Sequence, residues 1–342
     1  HQPPARQTNG TQPPMTAVDT PIEEQGLAQR VFAQYGRYLL LVGFIVVAAI
    51  FFQYSNDNFL SVTNIGIMMR SMAVLLLLSL GMTIVIITAG IDLSVGSNVA
   101  FAGAVGVIVL VETGIPFIGF IAAVIAGMSI GLINGIFVGR MGLSAFLVTL
   151  ATFALARGLA LVLLDATSIG TDDEIYLWLG KTTVGEDFPV SIVFVTLVIL
   201  AMAFVMHRTT FGRDVFAVGS NRATSFLLGR STVRTIVLVY VVSGLMAGLS
   251  SIITVGRLNS AQPWAGLNME FDAITAVILG GTSLFGGRGT LLGTVLGVIL
   301  IGFIVNGLIL TGINPFWQNF LRGAILITVV VADALSNRGQ RS

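Results

Sequence analysis

Residues 65–111 have the sequence IGIMMRSMAVLLLLSLGMTIVIITAGIDLSVGSNVAFAGAVGVIVLV, and this stretch decides the fold. It contains two apolar runs, 65–88 and 95–111, and a helix needs about 20 apolar residues to cross a bilayer. Backbone N–H and C=O groups cannot stay unpaired in lipid, so such runs must be helical. Between the runs, Asp92 and Ser94 interrupt the apolar sequence. The stretch therefore predicts two membrane helices joined by a short polar connection.

The same pattern recurs on both sides of this stretch. We predict an all-α polytopic membrane bundle of about ten transmembrane helices, because about ten such runs follow one another. The eighth run is short and rich in glycine at its end, so it is either a full span or a broken, re-entrant helix. The predicted spans are 38–54, 65–88, 95–111, 116–139, 144–164, 190–206, 233–255, 272–285, 290–310 and 319–335.

The composition agrees with a membrane domain over 38–335. Hydrophobic residues make up 55% of the 342 residues and charged residues only 10%, with a mean hydropathy of +0.94. A soluble domain carries about 25% charged residues, so there is too little charge to cover a water-exposed surface. The chain has no cysteine, which excludes disulfides, thiol catalysis and cysteine-ligated zinc.

The two ends of the chain are polar. We expect residues 1–37 to form a disordered cytoplasmic tail, because they are rich in Pro, Gln and Thr and have little to bury. Within it, residues 1–14 precede Met15 and are either native or an added segment. Residues 336–342 form the predicted cytoplasmic C-terminal tail.

Basic residues are distributed unevenly between the two sides of the predicted bundle. Cytoplasmic loops are enriched in Lys and Arg, which puts the N and C termini in the cytoplasm. The opposite side receives only Lys181, Arg257 and the helix-end residues Arg70 and Arg322, together with the acidic loop 165–189. The predicted cytoplasmic arginines are Arg6, Arg30, Arg37, Arg140, Arg208, Arg213, Arg222, Arg230, Arg234, Arg288, Arg338 and Arg341.

No catalytic residue, metal site or nucleic-acid interface is predicted. The single lysine, Lys181, lies in LGKT, but Ile175 stands where a phosphate-binding loop needs its first glycine. The histidines His1 and His207 have no partner at metal-ligand spacing. The net charge is +1 and no basic cluster suggests nucleic acid. Enzyme activity in this chain is therefore not expected.

Ionisable residues are scarce within the predicted spans. Proton- and sodium-coupled transporters carry such groups at mid-membrane. Here the candidates are few: Asp92 lies at a helix junction, Asp272 at a helix start and Arg157 in the outer part of a span. We expect Arg157 to pair with Asp165 near the outer interface. The energy for transport is therefore expected to come from another subunit.

Two polar segments interrupt the bundle, around residues 90–98 and 271–290. An acid or serine before an apolar run either caps a helix or lines a water-filled path, and the two roles are compatible. Glycine pairs permit helix breaks, which in transporters often lie on the substrate path. The candidate passage residues are Asp92, Ser94, Asn98, Asp272, Thr282, Ser283 and Phe285. The candidate hinge or close-packing glycines are Gly280, Gly281, Gly286 and Gly287.

The cytoplasmic loop 207–232 is longer than a helix connection needs. A short helix capped by Asn221 is expected to run to Gly229, with apolar residues at Phe226, Leu227 and Leu228. These residues indicate either a docking element for a cytoplasmic partner or an amphipathic turn on the membrane surface.

Four of these stretches resemble a known family. They are GIDLSVGS (90–97), GRDVFAVGSNRAT (212–224), FDAITAVILGGTSLFGGRGTLLGTVLG (271–297) and NPFWQNFLRGAILITVVVAD (314–333). Together they resemble the permease subunits of bacterial ABC sugar importers of the ribose/xylose/galactose type.

The resemblance implies a homodimeric permease of the bacterial inner membrane that passes a monosaccharide or small polyol. It also implies an external sugar-binding protein and a cytoplasmic tandem ABC ATPase that binds the ATP and Mg, so this chain holds no cofactor. The loop that couples to the ATPase would comprise Arg213, Ala217, Gly219, Asn221, Ala223 and Gly229. The alternatives are a self-contained secondary transporter or channel, or a membrane scaffold subunit.

Overall fold

The computed structural model describes residues 27–185 and 188–338. The chain divides into two units, His1–Gly36 and Arg37–Ser342. The described part of the first unit is the beginning of the first helix, and the bundle below belongs to the second. The tail predictions for residues 1–26 and 339–342 lie outside the described residues, whereas residues 27–37 are helical.

The described chain is almost entirely helical, as predicted, with four two-residue strands. The helices are α1 (Leu27–Ser55), α2 (Val62–Ile87), α3 (Val95–Thr113), α4 (Pro116–Gly135, continued by a π-helical turn over Ile136–Arg140), α5 (Ala145–Leu163), α6 (Glu174–Lys181), α7 (Val190–Arg208), α8 (Thr210–Ser220), α9 (Arg222–Leu227), α10 (Thr232–Leu258), α11 (Met269–Leu279), α12 (Leu291–Leu310) and α13 (Pro315–Arg338).

Nine helices in the described part of the chain are long and apolar enough to cross a membrane. The remaining predicted span, 272–285, is the short helix α11, which ends at Leu279. It stops there because Gly281 takes a left-handed conformation (φ +88°) that reverses the chain. The broken-helix alternative for this run is therefore the one found.

Helix α2 lies at the centre of the bundle and is the most buried span. It packs against α7, α10, α11 and α12. Its neighbour α10 also packs closely on α4, where Gly127 meets the backbone of Gly244 and Gly248. Small residues let helix backbones approach in a membrane, where no hydrophobic effect drives helices together. By contrast, α13 exposes apolar side chains along its length, including Phe320 and Ile327.

The two ends of the bundle differ. At one end, which we call the coupling end, α8 and α9 fill the connection between α7 and α10. At the other, the acidic end, α6 lies among four short strands. These are β1 (Ile169–Gly170) paired antiparallel with β4 (Ser260–Ala261), and β2 (Thr183–Val184) paired antiparallel with β3 (Phe188–Pro189).

Candidate functional site

The predicted loop 207–232 is mostly helical. The Thr209 hydroxyl accepts a hydrogen bond from the Gly212 N–H at 3.4 Å, which starts α8. One side of α8 buries Val215 and Val218, and Arg213 is exposed on the other side. The segment is therefore an amphipathic helix lying on the end of the bundle. This helix was not predicted, because Gly212 and Gly219 lie near its two ends and glycine disfavours helix interiors.

Helix α9 begins where the sequence predicted it. The Asn221 side chain accepts a hydrogen bond from the Thr224 N–H at 2.9 Å. The helix ends at Leu227, two residues before the predicted end, and Gly229 follows in a left-handed turn (φ +76°). Ala223 is exposed on its surface.

The end of α9 carries an exposed apolar cluster. Phe226, Leu227 and Leu228 are 66%, 82% and 73% exposed. Three adjacent large apolar side chains in water are unfavourable unless a partner covers them. The exposed cluster fits both alternatives that the sequence left open, a docking element for a partner and a turn on the membrane surface.

Two contacts fix α8 and α9 to each other and to the bundle. Arg230 forms an ion pair with Asp214 of α8. Arg222 donates from Nη2 to the carbonyl oxygen of Gly139 at 3.0 Å, at the end of α4. The segment is thus tied to α8 through Asp214 and to the end of α4 through Gly139.

Three segments that the sequence separates meet at Gly219. The glycine is buried against the carbonyl of Ile87, the last residue of α2, so closely that a Cβ there would overlap it. The same carbonyl accepts a hydrogen bond from the Gly287 N–H at 2.9 Å. Gly286 in turn lies against the Gly219 carbonyl. The end of α8, the end of α2 and the turn after α11 therefore share one backbone contact.

The turn after α11 is built from the predicted hinge glycines. Gly281, Gly286 and Gly287 all have positive φ values of +88°, +82° and +73°. Gly280 packs against the backbone of Gly293 in α12. Within the turn the Ser283 N–H donates to the Arg288 carbonyl at 3.0 Å. These positions require glycine for conformation or for close approach; their action as hinges stays a prediction.

A polar cavity of about 320 Å³ lies behind the α8–α9 junction. It is bounded by residues 88–90 after α2, by residues 218–222, and by Tyr240 of α10. The junction is therefore not packed flat on the bundle, which leaves space into which it can move.

The predicted passage residues fall into separate places. Asp92 is buried, and its Oδ1 accepts from the Ser94 N–H (3.0 Å) and hydroxyl (2.6 Å), while its Oδ2 accepts from the Ser243 hydroxyl at 2.8 Å. Asn98 donates to the Gly127 carbonyl at 3.0 Å. A buried carboxylate with this many donors holds helix ends together.

The partners of this network come from three other helices. Asn134 of α4 donates to Ser94 at 2.9 Å and accepts from the Thr152 hydroxyl of α5 at 2.7 Å, and Ser243 comes from α10. The sequence analysis did not select Asn134 or Ser243. An amide inside the apolar run around 134 was the available signal, because a polar residue in a span usually faces a polar partner.

Asp272 lies apart from this network. It forms an ion pair with Arg322 of α13, with Oδ1 3.1 Å from Nε. Both line a cavity of about 250 Å³ between α2, α10, α11, α12 and α13, together with Ser71, Arg257 and Asn306. A cavity with charged, hydroxyl and amide groups on apolar walls suits a small hydroxylated solute.

The other predicted passage residues lie nearer the coupling end. Thr282 and Ser283 are buried, whereas Phe285 is 51% exposed. The structure thus brings Thr282 and Ser283 close to the glycine turn and does not bring them to Asp272. A role in a passage stays a prediction for all of these residues.

Arg157 does not pair with Asp165, contrary to the expectation. Asp165 is exposed, whereas Arg157 is 7% exposed and its Nη1 donates to the carbonyls of Pro263 and Ala265. The nearby charge is Glu270 of α11, which is 1% exposed. The prediction failed because the loop 259–268 folds back over α5, a long-range contact that sequence spacing does not reveal.

The architecture defines a class of protein. Apolar helices long enough to span a membrane, a broken helix beside the central one, an amphipathic segment at one end and polar cavities within the bundle are the parts of a membrane permease. In the described residues, no group of three His, Cys, Asp or Glu side chains is placed to hold a metal.

Comparison with known proteins gives the family. Residues 64–330 match the family described as "Branched-chain amino acid transport system / permease component". The chain belongs to this family: it is the permease component of an ABC importer, a multi-pass protein of the bacterial inner membrane. It is a transport subunit rather than an enzyme, as predicted, and works with a separate ATPase and a substrate-binding protein.

Several curated relatives are similar over most of their length. The chain is 37% identical to Ribose import permease protein RbsC of Escherichia coli K12 over 86% of this chain and 92% of that protein. It is 34% identical to D-allose transport system permease protein AlsC of the same organism, over 89% and 93%. Identity to Ribose import permease protein RbsC of Bacillus subtilis 168 is 36%, over 89% and 93%. No solved structure matches the chain.

Proposed function

We propose that this chain forms the membrane passage of an ABC importer for a monosaccharide or a similar small polyol, and that α8 and α9 couple the passage to a cytoplasmic ATPase. The observation that carries the coupling role is the shared backbone contact at Gly219. It links the exposed segment directly to α2, the central helix, and to the turn after the broken helix α11.

The coupling end is the cytoplasmic end in this proposal. Arg213, Arg222, Arg230 and Arg234 lie there, whereas the opposite end carries the acidic loop, in agreement with the positive-inside rule. The segment between Leu258, where α10 ends at the acidic end, and the glycine turn beside Gly219 crosses the bundle once more. With the nine long helices of the described chain it makes an even number of crossings, so both chain termini are cytoplasmic in this proposal. The exposed cluster of Phe226, Leu227 and Leu228 faces the compartment in which an ATPase binds ATP and Mg.

The transport step follows from this geometry. Closure of the ATPase pair on ATP binding moves α9, and the ties through Arg230 and Arg222 carry α8 with it. The cavity behind the junction gives the segment room to move. The contact between Gly219 and Ile87 then shifts α2 and the glycine turn, which alternately opens the bundle to either side of the membrane.

The sugar class rests on the relatives and on the chemistry of the inner cavity. The relatives are ribose and allose permeases by name. In this chain the cavity at Asp272 and Arg322 presents a charged pair together with the Ser71 hydroxyl and the Asn306 amide. Sugar hydroxyls pair with such groups, and few contacts leave binding weak enough for release. Selectivity among sugars comes from the external binding protein.

The assembly is a homodimer with one tandem ATPase in this proposal. The exposed apolar surfaces of α1 and α13 face lipid or a second copy of the chain. Lipid covers the remaining apolar surface.

The test is reconstitution in liposomes with a tandem ABC ATPase and an external sugar-binding protein from the same bacterium. We expect ATP hydrolysis that rises with sugar-loaded binding protein, together with sugar uptake that stops without ATP. The variant Asn221→Pro tests the coupling role. It removes the side-chain cap of α9 and should abolish sugar uptake, while membrane insertion and dimer formation persist. Accumulation of sugar by the purified chain alone under an ion gradient would instead establish the self-contained transporter.

A further inference from the structure

The basic residues at the acidic end are not scattered. Arg70 of α2, Lys181 of α6, Arg257 of α10 and Arg322 of α13 come from four different helices. All four line two adjoining cavities, which share Arg257 and Ile67. The remaining basic residue of this end, Arg157, is buried inside the bundle. Four of the five basic residues of the acidic end therefore lie together around these two cavities.

The outer of the two cavities, about 190 Å³, has three of these side chains on its wall: Arg70, Lys181 and Arg257. Among the described residues, no carboxylate comes within ion-pair distance of any of the three. Arg257 donates to the Ser71 hydroxyl at 3.1 Å, and the buried Nε of Arg70 has no hydrogen-bond partner. Like charges held together are unfavourable, so within the described part of the chain this arrangement favours an anion between them.

The surroundings exclude two simpler explanations for the cluster. Positive charge that only served membrane orientation would lie on the cytoplasmic side. Charge that held a lipid headgroup would lie on the peripheral helices, whereas α2 and α10 are among the most buried spans of the bundle. Helix α6 begins with Glu174, capped by Asp173, and ends with Lys181, so the acidic segment and the basic cluster share one short helix.

We propose that Arg70, Lys181 and Arg257 form the docking site for an acidic patch on the external sugar-binding protein. This inference rests on the proposed function. Carboxylates of the binding protein would enter the cavity and pair with the three cations. The acidic segment of α6 would repel the same carboxylates if the binding protein docked in a different position. The site adjoins the cavity at Asp272, so a binding protein seated there delivers its sugar directly to the passage.

The experiment measures ATP hydrolysis by the reconstituted complex as the concentration of sugar-loaded binding protein is varied. In the double variant Arg70→Gln/Lys181→Gln, we expect the half-saturating concentration of binding protein to rise roughly tenfold, because interface charges act on association. Its dependence on salt should also weaken. The charge-preserving variant Arg70→Lys/Lys181→Arg should recover most of the affinity.

Arg234→Gln is the matched control, since it removes an exposed arginine at the opposite end and should leave the half-saturating concentration unchanged. The inference is overturned if the double variant keeps the wild-type value. It is also overturned if the variant changes only the response to anionic lipid in the liposomes, or only the sugar concentration needed. If binding protein does not stimulate hydrolysis by the unmodified complex, the proposed function itself fails.

Discussion

Gly219 of α8 lies against the carbonyl oxygen of Ile87 at the end of α2, and that oxygen also accepts the N–H of Gly287. A methyl group at position 219 would occupy the space of the carbonyl. The surface segment is therefore in direct backbone contact with the most buried helix of the bundle.

The substitution Gly219→Ala should therefore uncouple the ATPase from transport. We expect sugar uptake to fall at least roughly tenfold, because the added Cβ separates α8 from α2 by more than packed atoms tolerate. Gly158→Ala is the matched control: no atom lies within 4 Å of its new Cβ, and alanine favours a helix by about 1 kcal/mol over glycine. Equal uptake by the two variants, measured in proteoliposomes, would contradict the coupling contact.

The exposed cluster on α9 should bind the ATPase. Replacing Phe226, Leu227 and Leu228 with serine should prevent co-purification of the ATPase while the permease still inserts and dimerises. Burying one such side chain is worth about 1.5–3 kcal/mol, so losing three weakens the complex by orders of magnitude. His207→Ala, an exposed polar change at the same end, should have no effect. If the triple variant still retains the ATPase, the cluster is not the docking element, and the alternative of an amphipathic turn on the membrane surface is favoured.

The hydrogen-bond network around Asp92 should stabilise the folded bundle. In Asp92→Ala, the donors from Ser94 and Ser243 lose their acceptor, and each buried donor left unpaired costs about 1–3 kcal/mol. We expect a clear loss of thermal stability in detergent, whereas Thr196→Ala on the exposed side of α7 should change little. A variant as stable as wild type that fails only in uptake would favour the passage role that the sequence suggested.

Arg157 and Glu270 should be thermodynamically coupled. Arg157→Met leaves the carboxylate of Glu270 buried without a counter-charge, and Glu270→Gln does the same to the arginine. The two buried side chains interact through their charges without an ion-pair contact, so removing one charge leaves the other less well compensated, whereas removing both leaves no charge to compensate. The double variant should therefore be more stable than at least one single variant. Additive losses in a thermal-unfolding cycle would mean that the two charges do not interact.

The ion pair formed by Asp272 and Arg322 should contribute to sugar binding. Asp272→Asn and Arg322→Gln should each raise the sugar concentration for half-maximal uptake roughly tenfold, because each removes a charge-assisted hydrogen bond from the cavity wall. Thr328→Ala, on the exposed side of α13, serves as the control. An unchanged sugar dependence, with only the maximal rate reduced, would assign the pair to structure.

The sequence alone determined the membrane class of this protein, nearly all of its helical spans and its family. Runs of about 20 apolar residues can only be helices in lipid, so the membrane class and nearly every span followed from local composition. The break after α11 was visible as glycine pairs, and the start of α9 as Asn221 before a helical run. Family membership followed from sequence motifs, which can be identified in order along the chain without any knowledge of tertiary contacts.

The tertiary structure alone decided which polar groups meet. Sequence spacing suggested Asp165 for Arg157, but a loop about a hundred residues further on supplies its carbonyls. Likewise Asp92 is satisfied by Ser243, and Gly219 meets Ile87, in both cases from distant helices. Hydropathy identifies spans because each helix satisfies its own backbone. It does not identify neighbours, because apolar surfaces pack on one another with little regard for sequence, and only the folded bundle determines which helices touch.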